Sequence, residues 1–537
     1  MTKLAFKMKP YIQPFEKSLA LEELAQLTGH EITLAATDKR ALQSIYAVET
    51  DVPPSSLLQR LVYWESITAD KRLFTEQVKR EATMAIAQNG VDIAEFGAVL
   101  PITDSVSVPR RRCLRYGPHG LHEYRGKFFP QLVRALLNIA KLETGSTVVD
   151  PMCGSGTTLV ETAVTGMHAV GVDMNPLSVF MTSTKTGVLS LKPDSLVAEF
   201  NLVQDKLRGK TWWSSKRLQS YLSQMQEGDR EYLGRWFAPE VLLELLAIKW
   251  IVDAIQNKPV RELFLLSLSN IVRPLSWQKN DDLRVRKELW DTQAVDVRDR
   301  FIRETHRAIR LTTSFLHQVS NQKKGDIEIY HGDAANPPME MNRHIGKVDA
   351  IITSPPYATA LPYLDTDRLS LIILGLLSRQ YHRAYDTRMI GNREITKAQK
   401  RAYWESYEKN KNSLPQSVSG LIDKIHRLNS DGSAGFRRKN LPSLLSKYFF
   451  DMKSVFHQVE MLLRPGARAF FVVGDNHTVA GGKKVKIATA DLLVDLAETV
   501  GLVTEEKLQM EMLTSRDIFR ENASSSETVI YLKKKNQ

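Results

Sequence analysis

The stretch TVVDPMCGSGTTLVE, residues 147–161, decides the fold. Its β-branched apolar residues lead into Asp150, the turn Gly154–Gly156 permits a close approach of the backbone, and Thr157 opens a helix. This order predicts a strand, a glycine turn and a helix, the unit with which open α/β sheets hold nucleotide-type ligands. No Gly-Lys-Ser or Gly-Lys-Thr follows, and the Asp150 carboxylate would repel a phosphate. The turn therefore suits a cationic or amine-bearing ligand.

Two further strands are predicted to end in an acidic residue. The strand HAVGVD, residues 168–173, places Asp173 roughly 20 residues after the glycine turn, the spacing at which such folds hold ribose hydroxyls. The strand IEIYHGD, residues 327–333, ends in Asp333, which we expect to accept a hydrogen bond from an adenine amino group. The sequence thus predicts a carboxylate at each of three strand ends.

The stretch VDAIITSPPYATALPY, residues 348–363, adds a fourth strand end. Its apolar run predicts a buried parallel strand, and Ser-Pro-Pro-Tyr follows where open α/β sheets place their ligands. The two prolines fix φ, so the Pro355 carbonyl is held in one direction beside the Ser354 hydroxyl. Both oxygens can accept from an exocyclic amine, and a planar base can stack on Tyr357 at roughly 1–3 kcal/mol. A Pro-Pro turn that only ends a core strand is the alternative, but the three acidic strand ends favour a ligand site.

Composition limits the class of protein. The 537 residues suffice for two or three domains, and no apolar run approaches the roughly 20 residues of a membrane-spanning helix. The N-terminus lacks the apolar segment of a signal peptide, and only two cysteines occur, Cys113 and Cys153, so we expect a reducing cytoplasm and neither a disulfide framework nor a Cys-rich zinc site. The net charge of +12 favours a polyanionic partner.

The segment YGPHGLHEYRGKFFP, residues 116–130, combines aromatic residues, histidines and cations ahead of a helix. His119 and His122 have no third and fourth ligand at suitable spacing, so we expect no metal here. The segment instead predicts a wall of the ligand pocket.

Together these motifs resemble those of the S-adenosyl-L-methionine (AdoMet)-dependent amino-methyltransferases that act on DNA. DPMCGSGT resembles their cofactor glycine motif, and TSPPY resembles their catalytic tetrapeptide. HEYRGKFFP resembles their remaining cofactor-side motif, in which the Phe of Lys-Phe-Pro lines the methionine pocket. Because this sequence has Lys-Phe-Phe-Pro, we assign that role to Phe128 and Phe129 jointly. The resemblance covers residues 113–185, 325–365 and 455–533.

The resemblance implies a cofactor site and a catalytic site. Its cofactor-binding residues are Phe128, Phe129, Asp150, Pro151, Cys153, Gly154, Gly156, Thr157, Asp173 and Asp333. Its catalytic residues are Ser354, Pro355, Pro356 and Tyr357.

The resemblance also implies a Rossmann-like α/β fold with a seven-stranded sheet whose last hairpin is antiparallel. Long insertions depart from the family's common layouts. Helical periodicity in Leu19–Leu27 and Leu57–Ile86 predicts a mostly helical N-terminal domain of unknown role. The predicted units are 1–100, the N-terminal domain; 113–185, the cofactor half of the methyltransferase core; 186–324, a helical insertion; 325–382, the catalytic half; 383–448, a basic insertion; and 449–537, the last strands of the core.

The expected reaction follows from the pocket. An exocyclic amine is a poor nucleophile, so acceptors at Ser354 and the Pro355 carbonyl should favour its attack on the sulfonium methyl of AdoMet. No covalent intermediate is needed, and Cys153 belongs to the glycine turn instead of a nucleophile motif. A base buried in a duplex must be flipped out to reach Tyr357. By resemblance, Ser at the first catalytic position favours cytosine N4. Adenine N6 is the alternative, and an RNA amino-methyltransferase or a catalytically silent DNA-binding module is less favoured.

Double-stranded DNA is the expected partner. The two insertions, 186–324 and 383–448, are rich in cations and interrupt the sheet on either side of the catalytic strand, so we expect them to hold the duplex. The candidate DNA-binding residues are Arg388, Arg393, Arg437, Arg438 and Lys439. A companion restriction endonuclease is a further candidate partner, while membrane and metal are not expected.

Overall fold

The computed structural model of the chain contains a seven-stranded sheet. Five of its strands are parallel, so their carboxyl ends lie along the same side of the sheet. The structure describes residues 1–38, 43–103, 112–124, 129–209, 216–279, 286–289, 295–358, 363–430, 435–511 and 526–536. The strands are β1 Thr2–Met8, β2 Thr33–Asp38, β3 Gln43–Thr50, β4 Trp64–Thr68, β5 Arg72–Phe74, β6 Thr147–Asp150, β7 His168–Asp173, β8 Ile327–His331, β9 Val348–Thr353, β10 Leu463–Gly474, β11 Asn476–Ala480, β12 Lys483–Ile487, β13 Leu502–Glu511 and β14 Ser526–Lys534.

The helices fill the connections between these strands. They are α1 Pro14–Thr28, α2 Pro54–Arg60, α3 Glu76–Gln88, α4 Phe96–Val99, α5 Pro130–Ile139, α6 Thr157–Val164, α7 Pro176–Gly187, α8 Pro193–Arg208, α9 Lys216–Ser223, α10 Glu227–Gly234, α11 Pro239–Asp253, α12 Lys258–Leu275, α13 Val297–Gln318, α14 Tyr363–Ile373, α15 Arg379–Arg388, α16 Lys397–Asn410, α17 Gln416–Leu428, α18 Phe436–Leu462 and α19 Thr489–Glu498. None of the helices in the described ranges has the length and apolar character needed to span a membrane.

The central sheet has the strand order β13-β14-β10-β9-β6-β7-β8. Strand β6 lies in its middle, with Val149 beside Ile351 of β9 on one side and Val170 of β7 on the other. Strand β14 runs antiparallel to its two neighbours, β10 and β13, whereas β10, β9, β6, β7 and β8 pair in parallel. This is the Rossmann-like sheet with an antiparallel last hairpin that the sequence predicted. The short hairpin of β11 and β12 was not predicted.

The N-terminal region is not mostly helical, and that prediction was wrong. Its strands form a five-stranded antiparallel sheet in the order β2-β3-β1-β4-β5, with α1, α2 and α3 packed beside it. The segment Leu57–Ile86, whose spacing of apolar residues predicted a helix, contains β4 and β5 as well as parts of α2 and α3. Strand β4 is buried from Trp64 to Ile67, and periodicity alone cannot separate a short buried strand from a buried helix.

The N-terminal sheet and the central sheet share one apolar core. Phe6 and Trp64 belong to the same buried cluster as Leu136 of α5 and Phe470 of β10. The buried Glu23 carboxylate of α1 accepts a hydrogen bond from the Asn138 side chain of α5 at 2.8 Å. Residues 1–100 therefore cover one face of the central sheet, while α18 and α19 pack against the opposite face.

The insertions are helical, but their predicted limits fall inside helices. The boundary at residue 185 lies in α7, the boundary at 382 lies in α15, and α18 runs without interruption across residue 448 to Leu462. The basic insertion is thus continuous with the helix that leads into β10, so it is anchored in the core of the sheet rather than attached to it by a loop.

Candidate functional site

The glycine turn between β6 and α6 is built around two positive-φ glycines. The Gly154 amide donates to the Asp173 carboxylate at 2.8 Å, and the Gly156 amide donates to the Cys153 carbonyl at 2.8 Å. Gly156 has φ +78°, and a Cβ there would lie 2.8 Å from the Thr182 hydroxyl oxygen. A Cβ on Gly154 would lie 3.1 Å from the Tyr124 ring. The turn thus forms a backbone cradle that side chains would fill.

Asp150 supports this turn from inside the sheet. Its carboxylate is buried and accepts from the Met152 amide at 3.1 Å, with the hydroxyls of Thr158 and Thr353 close by. Burial raises the pKa of Asp150 to about 7, and these polar neighbours oppose the rise. Because Thr353 is the last residue of β9, Asp150 lies between the glycine turn and the Ser-Pro-Pro-Tyr loop.

Asp173 ends the neighbouring strand β7. One carboxylate oxygen accepts from the Gly154 amide and the other from the Asn175 amide, each at 2.8 Å. Burial raises the pKa of Asp173 to about 6, although these backbone hydrogen bonds lower it. Each oxygen has a further lone pair, so the ionised group can accept from the two hydroxyls of a ribose.

The third strand end continues the same edge of the sheet. Asp333 follows β8 by two residues and accepts from the Ala335 amide at 2.9 Å, which fixes a tight turn. His331 bonds the Met174 carbonyl at 3.0 Å and stacks on Tyr385 of α15, with ring centroids 5.8 Å apart. The basic insertion therefore reaches the strand ends that surround Asp173.

The catalytic loop follows β9 directly. The Ser354 hydroxyl donates to the Val472 carbonyl of β10 at 3.0 Å. Since a hydroxyl has one hydrogen, this bond leaves Ser354 Oγ with lone pairs only, and it can act toward a ligand only as an acceptor. The interpretation of Ser354 as an acceptor for an amine is thus compatible with the geometry.

Contacts on both sides hold this loop in place. A Cβ on Gly391, in the connection after α15, would lie 3.0 Å from the Tyr357 carbonyl oxygen and 3.1 Å from Pro356 Cβ. On the other side, the Asn476 side chain donates to the Ala358 carbonyl at 3.1 Å. The loop is fixed between the insertion and the start of β11.

A buried ionic cluster joins the segment before α5 to the cofactor helix. Glu161 of α6 accepts from the Tyr116 hydroxyl at 2.9 Å and contacts His119 at 2.6 Å and Arg134 at 3.3 Å. Burial alone would raise the pKa of Glu161, but the bond and charge of His119 and the charges of Arg134 and Arg80 bring it to about 2. His119 thus has a buried carboxylate partner, and His122 bonds Ser269 at 2.9 Å. The same segment carries Tyr124 over the glycine turn, as expected for a pocket wall.

Comparisons with known proteins bear on this site. The family described as "RMKL-like, methyltransferase domain" (UPF0020) matches residues 122–209, which contain the glycine turn and Asp173. Type II methyltransferase M.MvaI from Kocuria varians is 25% identical over 269 residues, covering 48% of this chain and 58% of that protein. Type II methyltransferase M.BsoBI from Geobacillus stearothermophilus is 23% identical over 419 residues, covering 71% of this chain and 78% of that protein.

A shorter similarity is to the tRNA (guanine(10)-N2)-dimethyltransferase of Methanothermobacter thermautotrophicus, 35% identical over 52 residues, 10% of this chain and 16% of that protein. The chain spans about three fifths of the length of M.MvaI. A methyltransferase domain matched over the glycine turn and Asp173 indicates AdoMet as the cofactor, and the backbone cradle with an acceptor carboxylate beside it fits an adenosine-bearing ligand.

The structure places most of the predicted residues at the carboxyl ends of the parallel strands. Pro151, Cys153 and Thr157 belong to the glycine turn and the start of α6, and burial raises the pKa of the Cys153 thiol well above its usual value, which suits a packing role. Phe129 caps α5, and its place beside the cofactor stays a prediction. Phe128 lies outside the described residues.

The candidate DNA-binding residues lie near the catalytic loop. Arg388 is exposed at the end of α15, and Arg393 follows Gly391 by two residues. Arg437, Arg438 and Lys439 are exposed at the start of α18, and Arg437 pairs with Glu394 at 3.5 Å. The connection 389–394 thus contacts Arg437 through Glu394 and packs on Pro356 and Tyr357 through Gly391.

Several residues that shape the site were not predicted from the sequence. They are Gly391, Gly474, Asn476 and Glu527. Only the glycines carried a local signal, because each interrupts or follows a regular element. The others act through contacts with residues distant in sequence, which a single sequence does not display.

The glycine cradle predicts a specific stability effect. Gly156→Ala should lower the free energy of unfolding by about 3 kcal/mol, because a left-handed φ costs about 1–2 kcal/mol and the new methyl overlaps Thr182. Gly482→Ala is the matched control, since Gly482 has φ +75° but no atom within 4 Å of an added Cβ. Urea unfolding monitored by circular dichroism measures both. Equal losses in the two variants would contradict a tight cradle at Gly156.

Proposed function

We propose that this protein is a site-specific DNA methyltransferase that transfers a methyl group from AdoMet to the exocyclic N4 of a flipped-out cytosine. The observation that carries the proposal is the pairing of β6 with β9, which sets the glycine turn beside the Ser-Pro-Pro-Tyr loop. The similarity to two Type II methyltransferases supports it. Adenine N6 is the alternative target atom.

In the proposed reaction, Ser354 Oγ and the Pro355 carbonyl accept the two N–H bonds of the target amine. Bound AdoMet supplies an electrophilic sulfonium methyl group. Drawing both hydrogens toward fixed acceptors favours a pyramidal nitrogen with an available lone pair. In the transfer, the nitrogen–methyl bond would form as the sulfur–methyl bond breaks to leave a thioether, and the surplus proton of the methylated amine would pass to solvent. Tyr357 stacks on the flipped base, and the proline-fixed loop excludes the water that would otherwise solvate the amine.

The basic insertion supplies the proposed duplex-binding surface. Arg437, Arg438 and Lys439 contact phosphates that flank the flipped base, and Arg388 and Arg393 lie closer to the catalytic loop. Phosphate contacts give affinity, while base-edge contacts from the same surface give specificity. A companion endonuclease would recognise the same sequence and be blocked by the methyl group.

Product analysis tests the target atom. Incubation with isotope-labelled AdoMet and mixed genomic DNA, followed by nucleoside mass spectrometry, should yield N4-methylcytosine. Ser354→Ala should lower the rate by about 10²-fold or more while retaining AdoMet binding, because an acceptor used in the transition state is lost. N6-methyladenine would change the base assignment, and C5-methylcytosine would overturn the mechanism.

Asp173 predicts a pH dependence of cofactor binding. Since ribose hydroxyls donate to the ionised carboxylate and the pKa of Asp173 is raised to about 6, affinity should be full above pH 7 and fall up to tenfold per unit below pH 6. Calorimetry from pH 5 to 8 measures this.

Asp173→Asn should bind AdoMet about 10-fold or more weakly and lose this pH dependence. Asp150→Asn is the control. The pKa of Asp150 is raised to about 7, and this variant should keep the loss of AdoMet affinity near pH 6 that comes from protonation of Asp173. An Asp173→Asn variant with the wild-type pH profile would remove this residue from the site.

The duplex surface predicts a change in salt dependence. Replacing Arg437, Arg438 and Lys439 together by Gln should weaken binding to all sequences and reduce the slope of log K against log salt by about 0.9 per lost phosphate contact. The control triple replaces Lys141, Lys323 and Lys347 by Gln, because these exposed lysines precede β6, β8 and β9 at the opposite edge of the sheet. Identical slopes in the two triples would contradict this placement.

A further inference from the structure

The Tyr357 ring is held by its hydroxyl group as well as by its backbone. The hydroxyl donates to the carboxylate of Glu527, the second residue of β14. Tyr357 thus lies across the ends of two strands that come from the last part of the chain. Its backbone is fixed by the prolines on one side and by the Asn476 contact to Ala358 on the other.

Gly474 makes room for this arrangement. It ends β10 directly opposite Glu527 in the antiparallel register, and a Cβ there would lie 3.1 Å from Cζ and 3.2 Å from the hydroxyl oxygen of Tyr357. With glycine at this position, the ring packs on the backbone of β10. Any larger residue would push the phenol away from the carboxylate.

Glu527 is a poor candidate for a purely stabilising residue. It is partly buried, and burial raises the pKa of its carboxyl group. Within the described part of the chain, its carboxylate has one hydrogen-bond partner, the Tyr357 hydroxyl. A partly buried carboxylate with a single neutral partner costs free energy relative to an apolar residue. Its place at the tip of the catalytic loop offers a function that offsets this cost.

We propose that Glu527 is a positioning residue that fixes the Tyr357 ring in the orientation that receives the flipped base, with Gly474 as the residue that permits it. The inference rests on the proposed function, because it assigns Tyr357 the stacking role. A ring anchored at both ends cannot rotate away when the base enters, so the base is held in line with the Ser354 acceptor. Displacement of a reacting group by about 1 Å can cost about 10²-fold in rate.

The same strand offers a matched control. The Tyr531 hydroxyl of β14 donates to Glu22 of α1 at 3.0 Å, so it forms the same kind of pair four residues along the strand. Tyr531 lies in the core that joins the N-terminal sheet to the central sheet. Loss of Glu22 should affect stability without affecting the catalytic loop.

The experiment compares Glu527→Ala, Glu527→Gln and Glu22→Ala in the full-length protein. On a duplex whose methylated position has been mapped, Glu527→Ala should lower kcat about 10- to 100-fold with an unchanged KM for AdoMet. Glu527→Gln retains an acceptor and should recover kcat to within about threefold, and Glu22→Ala should stay within about twofold. In the same duplex with 2-aminopurine at the target, Glu527→Ala should still flip the base but give a larger rise in fluorescence than the wild type, because the flipped base stacks less well on Tyr357 and is quenched less.

A measurement that does not depend on activity tests whether Glu527 holds the Tyr357 ring. In protein labelled with 3-fluorotyrosine, the ¹⁹F signal of Tyr357, assigned with Tyr357→Phe, should shift and broaden in Glu527→Ala but not in Glu22→Ala. An unchanged signal, or wild-type kcat in a Glu527→Ala variant, would overturn the inference. If the wild-type protein methylates no DNA, the proposed function fails, and the ¹⁹F signal still decides whether Glu527 holds Tyr357.

Discussion

The parallel pairing of β6 with β9 is the constraint on which the rest of the site depends. Val148 and Val149 pair with Ala350 and Ile351, so β9 ends one residue beyond the end of β6. The Thr158 hydroxyl adds a cross-link by donating to the Ile352 carbonyl at 3.3 Å. A one-residue slip would invert the side chains of β9 and move Ser-Pro-Pro-Tyr away from the glycine turn. The position of the Ser-Pro-Pro-Tyr loop relative to the glycine turn is thus set by backbone hydrogen bonds inside the sheet.

Segments that are distant in the sequence hold the loop after β9 in place. The Ser354 hydroxyl bonds β10, Gly391 of the basic insertion packs on Pro356 and Tyr357, and Glu527 of β14 holds the Tyr357 phenol. The N-terminal sheet covers the face of the central sheet that α5 occupies, and the Glu161 cluster ties the segment before α5 to the cofactor helix. Preorganisation of this kind suits a reaction in which the protein contributes acceptors and position.

The sequence predicted the parts of the fold that local patterns encode. Strand, glycine turn and helix around Gly154–Gly156 were visible because φ and periodicity act within a few residues, and the same holds for the strand that precedes Ser354. The N-terminal sheet was missed because its short strands pair with partners far away in the sequence, as Ala5 of β1 does with Thr68 of β4. The Tyr357 to Glu527 bond spans 170 residues, and no local pattern contains it. The predicted domain boundaries were wrong where a helix such as α18 continues from the insertion into the core.

A crystal structure of the protein with sinefungin, an AdoMet analogue that carries an amine at the position of the transferred methyl, tests whether the glycine turn and the Ser-Pro-Pro-Tyr loop form one site. We predict that its ribose hydroxyls bond Asp173, that its adenine lies beside Asp333 and that its amine faces Ser354 Oγ and the Pro355 carbonyl. Sinefungin bound away from the glycine turn, or bound there with its amine facing away from Ser354, would contradict the account.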